Sequence, residues 1–216
     1  MRWGFHYQAL KGERTTMDNK ELLYDHYKET FSLIKASIKQ RDRLFVWLFF
    51  VMAVHFLFAA SPESILAIIV GVVQNQYNVD ISNQMSIIQS FLWVMLLYLT
   101  MRYYQSTVYI ERQYRYIHSI EADIASVVGV KFDREGTNHL LNYPKMNDFI
   151  DFFYKWFFPL IYAVVILYKI IAEYCISFSP LFSLFNGVVF CACFLLNILY
   201  LVFLHGKPKQ SEETKK

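Results

Sequence analysis

The chain has 216 residues, 56% of them hydrophobic, 19% aromatic and only 18% charged, with a formal net charge of +3. One domain of ordinary soluble type is excluded by that apolar excess, and the charge is too mild to point to nucleic acid by itself. The cysteines, Cys175, Cys191 and Cys193, form neither a disulfide framework nor a CxxC metal pair, and the last two, two residues apart on an expected helix, fall on different faces.

Residues 1–17 carry no clear pattern, and no cleavable signal sequence is visible because the chain stays polar up to residue 43. From 18 to 43, Leu23, Tyr27, Phe31, Ile34 and Ile38 recur at spacings of three and four with charges between them. That period predicts an amphipathic helix, without a break before the apolar run 44–60, LFVWLFFVMAVHFLFAA. The connection 61–84 begins Ser61-Pro62-Glu63, a helix start with Ser at the cap and Pro in the first position. The apolar stretch 65–73 that follows is too short to cross a bilayer, so it is expected to lie on the outer surface or to re-enter the membrane.

A second apolar run covers 85–101, and the sequence then continues to 128 without Gly or Pro, so this helix too is expected to extend beyond the membrane. Gly129, Gly136 and Pro144 break the rest of 102–155 into loop. A third run covers 156–173, entered through Phe152, Phe153, Tyr154 and Trp156, which read as an interfacial belt, with Pro159 near its start. After the connection 174–180, a fourth covers 181–204, and 205–216 is a polar tail. A crossing needs about 20 residues at 1.5 Å each. The fold class expected is therefore all-α, a four-transmembrane-helix protein with two helices extended into the cytoplasm.

The charge pattern supports the same layout. Residues 1–43 hold nine Lys/Arg, 102–155 seven and the tail four, while 61–84 and 174–180 hold none. The remaining one is Lys169, inside the third run. Segregation of this kind predicts both termini on the cytoplasmic side of the membrane, with lipid as the immediate partner.

No enzyme motif stands out: there is no P-loop, GxGxxG, HExxH or GxSxG, and neither a metal nor a cofactor is expected. In YIERQYRYIHSI, Arg112, Arg115 and Tyr116 share one side of a helix with His118 one turn beyond Arg115. Guanidinium groups clamp phosphates and tyrosines stack bases, so these four are candidates for binding a nucleotide or oligonucleotide. The plainer reading is a solvated face anchored at the headgroup layer. In the apolar runs, His55, Gln89, Asn186 and Asn197 are candidate pore-lining residues, against the plainer reading of helix–helix hydrogen bonds. Lys169 and Glu173, one turn apart, are expected to pair and reach for the headgroups.

A charged helix LLYDHYKETFSLIKASIKQRDRLF enters the first span, YIERQYRYIHSIEADI leaves the second, and a DREG…NYP loop precedes FFYKWFFP. In this layout, over residues 18–204, the chain resembles small multi-pass membrane effectors of bacterial antiphage defence, the Hailong-type ion-channel effectors most closely, with the four-span subunit of Kiwa defence as an alternative. The resemblance implies a homo-oligomeric channel opened or held closed by a nucleotide-derived signal from a partner nucleotidyltransferase. A second reading is a membrane anchor or scaffold for a soluble enzyme.

Overall fold

The computed structural model describes residues 3–78, 84–132, 134–135, 152–175 and 180–205, with side chains from Lys20 onward. The described residues are almost all helical, and none of them forms a strand. Helix α1 runs Trp3–Ala60, α2 Pro62–Tyr77, α3 Met85–Val128, α4 Phe158–Cys175 and α5 Pro180–His205. Four of them, α1, α3, α4 and α5, are long and apolar enough to cross a membrane. The chain is an all-helical membrane protein. The expected unbroken passage from amphipathic helix to first span is present, since α1 is one helix of 58 residues, and α3 has 44.

The chain divides into two units, residues 1–43 with 105–148 and residues 44–104 with 149–216. The first is a pair of helical segments from α1 and α3. Its core is Tyr27 and Ile34 against Ile117, Ile120 and Ile124, flanked by Leu23, Phe31, Ile38, Tyr114 and Phe132. The apolar stripe read from the sequence is thus the packed face. Tyr27 also donates to Glu121 at 3.3 Å, and His26 Nε2 and the Tyr116 hydroxyl share a hydrogen bond of 2.7 Å. Burial, and then the Glu121 carboxylate beside it, push the Tyr27 phenol above its ordinary pKa. The Arg134 guanidinium lies 5.9 Å from the centres of both the Tyr27 and Phe132 rings, so this part of the loop is held by packing on aromatic faces.

With so small a core, each buried branched side chain matters. Ile117→Ala removes a side chain with no exposed surface and is expected to destabilise this unit by about 2–5 kcal/mol. Hydrogen exchange in segments 20–43 and 105–128 should then speed up, with exchange in α4 and α5 unchanged.

The break at Gly129 is where the sequence places it. Gly129 has φ +74°, and its N–H closes the helix on the Ala125 carbonyl at 2.9 Å. A left-handed backbone at that position favours glycine because no Cβ meets the carbonyl. Gly136 and Pro144 lie outside the described residues, as does most of the loop 129–148.

The second unit holds the four apolar helical segments. Its core joins Leu48, Val51 and Met52 of α1, Trp93, Leu96, Leu99, Tyr103 and Tyr104 of α3, Phe158, Tyr162, Ile166 and Ile170 of α4, and Val189, Cys193 and Tyr200 of α5. The outward positions are equally apolar: Phe49, Phe50, Phe91, Val94, Leu160, Val164, Leu184 and Val188 are exposed. A surface like that suits acyl chains rather than water. Cys191 is exposed and Cys193 buried, on different faces as their spacing requires.

Helix α2 starts at Pro62 with Ser61 in the cap position, but the Ser61 side chain makes no capping bond. It extends to Tyr77, beyond the apolar core 65–73, and ends on Asn78 in the left-handed conformation, whose N–H reaches the Gln74 carbonyl. None of its residues is buried.

Entry to α4 is through a π-helical turn, Phe153–Phe157. Pro159 has no N–H to return to the carbonyl four residues back, and the N–H of Phe158 instead reaches the Phe153 carbonyl five residues back. The strain of the proline is absorbed by one wide turn at the start of the span. Phe152 and Trp156 are exposed there, in keeping with an aromatic belt.

Candidate functional site: a buried ion pair in the spanning helices

The spanning helices keep their polar side chains inside. His55, Gln89, Ser90, Thr100, Lys169, Glu173, Asn186 and Asn197 are all buried. This inverts the pattern of a water-soluble bundle and fits a lipid surround, where polar groups must find partners within the protein.

They gather in two groups. The first sits near the Ala60 end of α1, the Met85 end of α3, the Cys175 end of α4 and the Pro180 end of α5. None of its residues is more than about 12 Å along its helix from that end, at 1.5 Å per residue. Lys169 and Glu173, one turn apart on α4, form an ion pair of 2.7 Å. Lys169 also donates to Gln89 Oε1 at 3.0 Å. Trp93, one turn after Gln89 on α3, donates its Nε1–H to both Glu173 oxygens, at 3.0 and 3.1 Å. Asn186 on α5 donates to Glu173 Oε2 at 3.1 Å and accepts from Ser90 Oγ at 2.8 Å. Two opposite charges thus sit in the apolar interior, and the carboxylate is surrounded by donors from three helices.

Sequence spacing predicts the pairing of Lys169 with Glu173 but places both at the headgroups. In the structure they are only 1% and 3% exposed. The reason is the neighbourhood: a Gln, a Trp and an Asn on other helices supply the hydrogen bonds that water would otherwise give. Burying two ions costs several kcal/mol each, and mutual attraction offsets this only with such added hydrogen bonds.

The second group lies toward the other end of the same helices. Thr100 Oγ1 donates to the Leu96 carbonyl at 2.8 Å and shares a hydrogen bond of 2.8 Å with the Tyr162 hydroxyl. Tyr104 donates to Asn197 Oδ1 at 2.7 Å, and Asn197 Nδ2 donates to the Pro159 carbonyl at 3.0 Å. The Tyr104 and Tyr200 rings stack with centroids 4.0 Å apart. Leu48, Leu96 and Ile166, each with no exposed surface, fill the level between the two groups. The interior between them is packed with apolar side chains.

The residues expected to line a pore are therefore all inside one chain's helices. Gln89 and Asn186 belong to the ion-pair group, Asn197 to the second group. His55 stands edge-on to Trp93, with ring centroids 5.2 Å apart, and its Nδ1 is 2.9 Å from the Val51 carbonyl oxygen. What the sequence did not single out is Trp93, Ser90, Thr100, Tyr104 and Tyr162. The available signal was spacing: Gln89 and Trp93 are one turn apart, as are Lys169 and Glu173.

In the other unit, Arg112, Arg115, Tyr116 and His118 lie on α3. Arg112, Arg115 and Tyr116 are exposed and His118 is half-buried. Tyr116 is engaged with His26, and Arg115 Nε reaches the Glu111 carbonyl at 3.4 Å within its own helix. Arg112 and Arg115 thus present their charges at the surface of the unit.

Comparison with family models, with curated proteins and with solved structures gives no match. The class that fold and site define is a helical membrane protein with four candidate crossings and a charged network enclosed among them.

Proposed function

We propose that the chain is the subunit of an oligomeric membrane channel, an effector of bacterial antiphage defence whose opening depolarises the membrane. The observation that carries this reading is the Lys169–Glu173 pair, buried with its full set of donors at one end of the spanning helices. Stability alone is a poor reason for such a pair, since apolar residues of similar size serve as well or better. A charged network that holds α3, α4 and α5 together is instead a closure that a rearrangement of those helices undoes. Once it separates, Gln89, Asn186 and His55 provide a polar surface where the closed state has none.

The asymmetry of basic residues supports both termini in the cytoplasm, which puts the pair near the outer face, and the resemblance in layout supports a bacterial inner membrane. The signal then arrives at the other side. Exposed Arg112 and Arg115, with Tyr116 and His118, suit a nucleotide or oligonucleotide made by a partner nucleotidyltransferase. Several chains around one axis complete the pore, because four spans enclose too little space alone. The resemblance in layout to Hailong-type effectors supplies the defence setting.

Purified protein in planar bilayers tests the reading. Ion current that appears or disappears on adding candidate oligonucleotides is the expected result. No current under any condition, together with a stably co-purifying soluble enzyme, would establish the anchor reading in its place.

A further inference from the structure

His55 has no exposed surface, and among the described residues its Nε2 has no hydrogen-bond partner. The tautomer follows from the other nitrogen. Nδ1 is 2.9 Å from the Val51 carbonyl oxygen, which can only accept, so Nδ1 carries the proton. Nε2 is then a bare lone pair. It needs something that donates a hydrogen or binds as a Lewis acid.

The surroundings select among the candidates. A metal ion wants further ligands, and among the described residues no cluster of three His, Cys, Asp or Glu exists. A cationic donor is disfavoured by Lys169, whose ammonium faces the same stretch of α1: it lies 5.8 Å from the centre of the Phe58 ring, nearly one turn on from His55. The other charged group of the network, Glu173, is already surrounded by Lys169, Trp93 and Asn186. What fits is a small neutral donor.

Lys169 provides a second contact for such a molecule. Two of its three N–H groups go to Glu173 and Gln89, and among the described residues the third meets the face of Phe58. An ordered buried water takes two to four polar partners and serves as donor and acceptor at once. We propose that His55 Nε2 is a binding site for one water molecule inside the spanning helices, which donates to the ring and accepts from Lys169. His55 thereby becomes the one hydrated point beside the buried ion pair. This holds whether or not the protein conducts ions.

The test is nitrogen NMR of the full-length protein, labelled in its histidine rings and reconstituted in lipid nanodiscs, with magnetisation transferred from water. The His55 resonance is assigned by its loss in His55→Phe and, should that variant fail to fold, in His55→Gln. The expected result is an unprotonated, hydrogen-bonded Nε2 that receives magnetisation from water. In Lys169→Met the transfer should fall several-fold with the tautomer unchanged, while Lys169→Gln, which keeps an N–H donor, should retain it. A protonated Nε2, or a bare Nε2 with no transfer from water, overturns the proposal. Undiminished transfer in Lys169→Met overturns the bridge to Lys169.

Discussion

Glu173→Gln should lower the stability of the folded protein by about 3–5 kcal/mol. The substitution keeps the size of the side chain but removes its charge. Lys169 is then a buried cation without a counter-charge, left with the neutral amide oxygens of Gln89 and of the new side chain. The new amide also turns a donor toward groups that already donate: Trp93 Nε1 bonds both carboxylate oxygens and Asn186 Nδ2 bonds one of them. A buried donor facing a donor costs the desolvation of both. Lys169→Met alone should be comparably damaging, because it strands the carboxylate. The double variant Lys169→Met/Glu173→Gln should be less damaging than the sum of the two, by more than about 1 kcal/mol, as expected of residues in direct contact. Unfolding of detergent-solubilised protein, followed across this four-member cycle, checks the claim. Additive losses would show that the two side chains do not act on one another.

Trp93→Ala is the second large effect, about 3–5 kcal/mol. The indole has no exposed surface and meets His55 and Phe190 edge-on, at centroid distances of 5.2 and 6.2 Å. Its one N–H also reaches both oxygens of the Glu173 carboxylate. Lipid chains are as apolar as the core, so the loss comes from packing and from the stranded carboxylate rather than from exposure to water. Trp93→Phe separates the two contributions. It keeps most of the packing and loses only the N–H, for an expected cost of about 1–3 kcal/mol. Thermal unfolding of the two variants side by side reads the difference, and equal losses would assign the whole effect to the hydrogen bonds.

Much of the fold is legible in the sequence because membrane helices announce themselves one at a time. The runs 44–60, 85–101 and 181–204 each fall within a helix, 156–173 covers the end of the π-helical turn and most of α4, and the stripe from Leu23 to Ile38 is a packed face. The turn at Gly129 is equally local, a matter of one residue's backbone freedom. The π-helical entry to α4 is less so. Pro159 signals that a bond is lost, but not whether the chain answers with a kink, a break or a wide turn.

The site is harder to read, for a physical reason. Lys169 and Glu173 sit one turn apart, and their pairing needs nothing beyond α4. Whether they reach outward to the headgroups or stay inside depends on Gln89, Trp93 and Asn186, which lie 13 to 80 residues away in sequence. Spacing along one helix carries no information about which face meets which neighbour. An up-and-down arrangement of spans does carry some: His55, Gln89, Glu173 and Asn186 all lie near helix ends that such an arrangement brings to one level. The orphaned Nε2 of His55 is of the same kind, since only the packed structure shows that its Nδ1 is committed to Val51.

As proposed, the Lys169–Glu173 pair closes a conducting pathway, and the current that Lys169→Met carries in planar bilayers without any added nucleotide, in preparations eluting at the wild-type volume, decides whether it does. Steady conduction well above that of the wild type is the expected result, because the network that holds α3, α4 and α5 together has lost its cation. A variant that assembles like the wild type and passes no more current than a protein-free bilayer would contradict it.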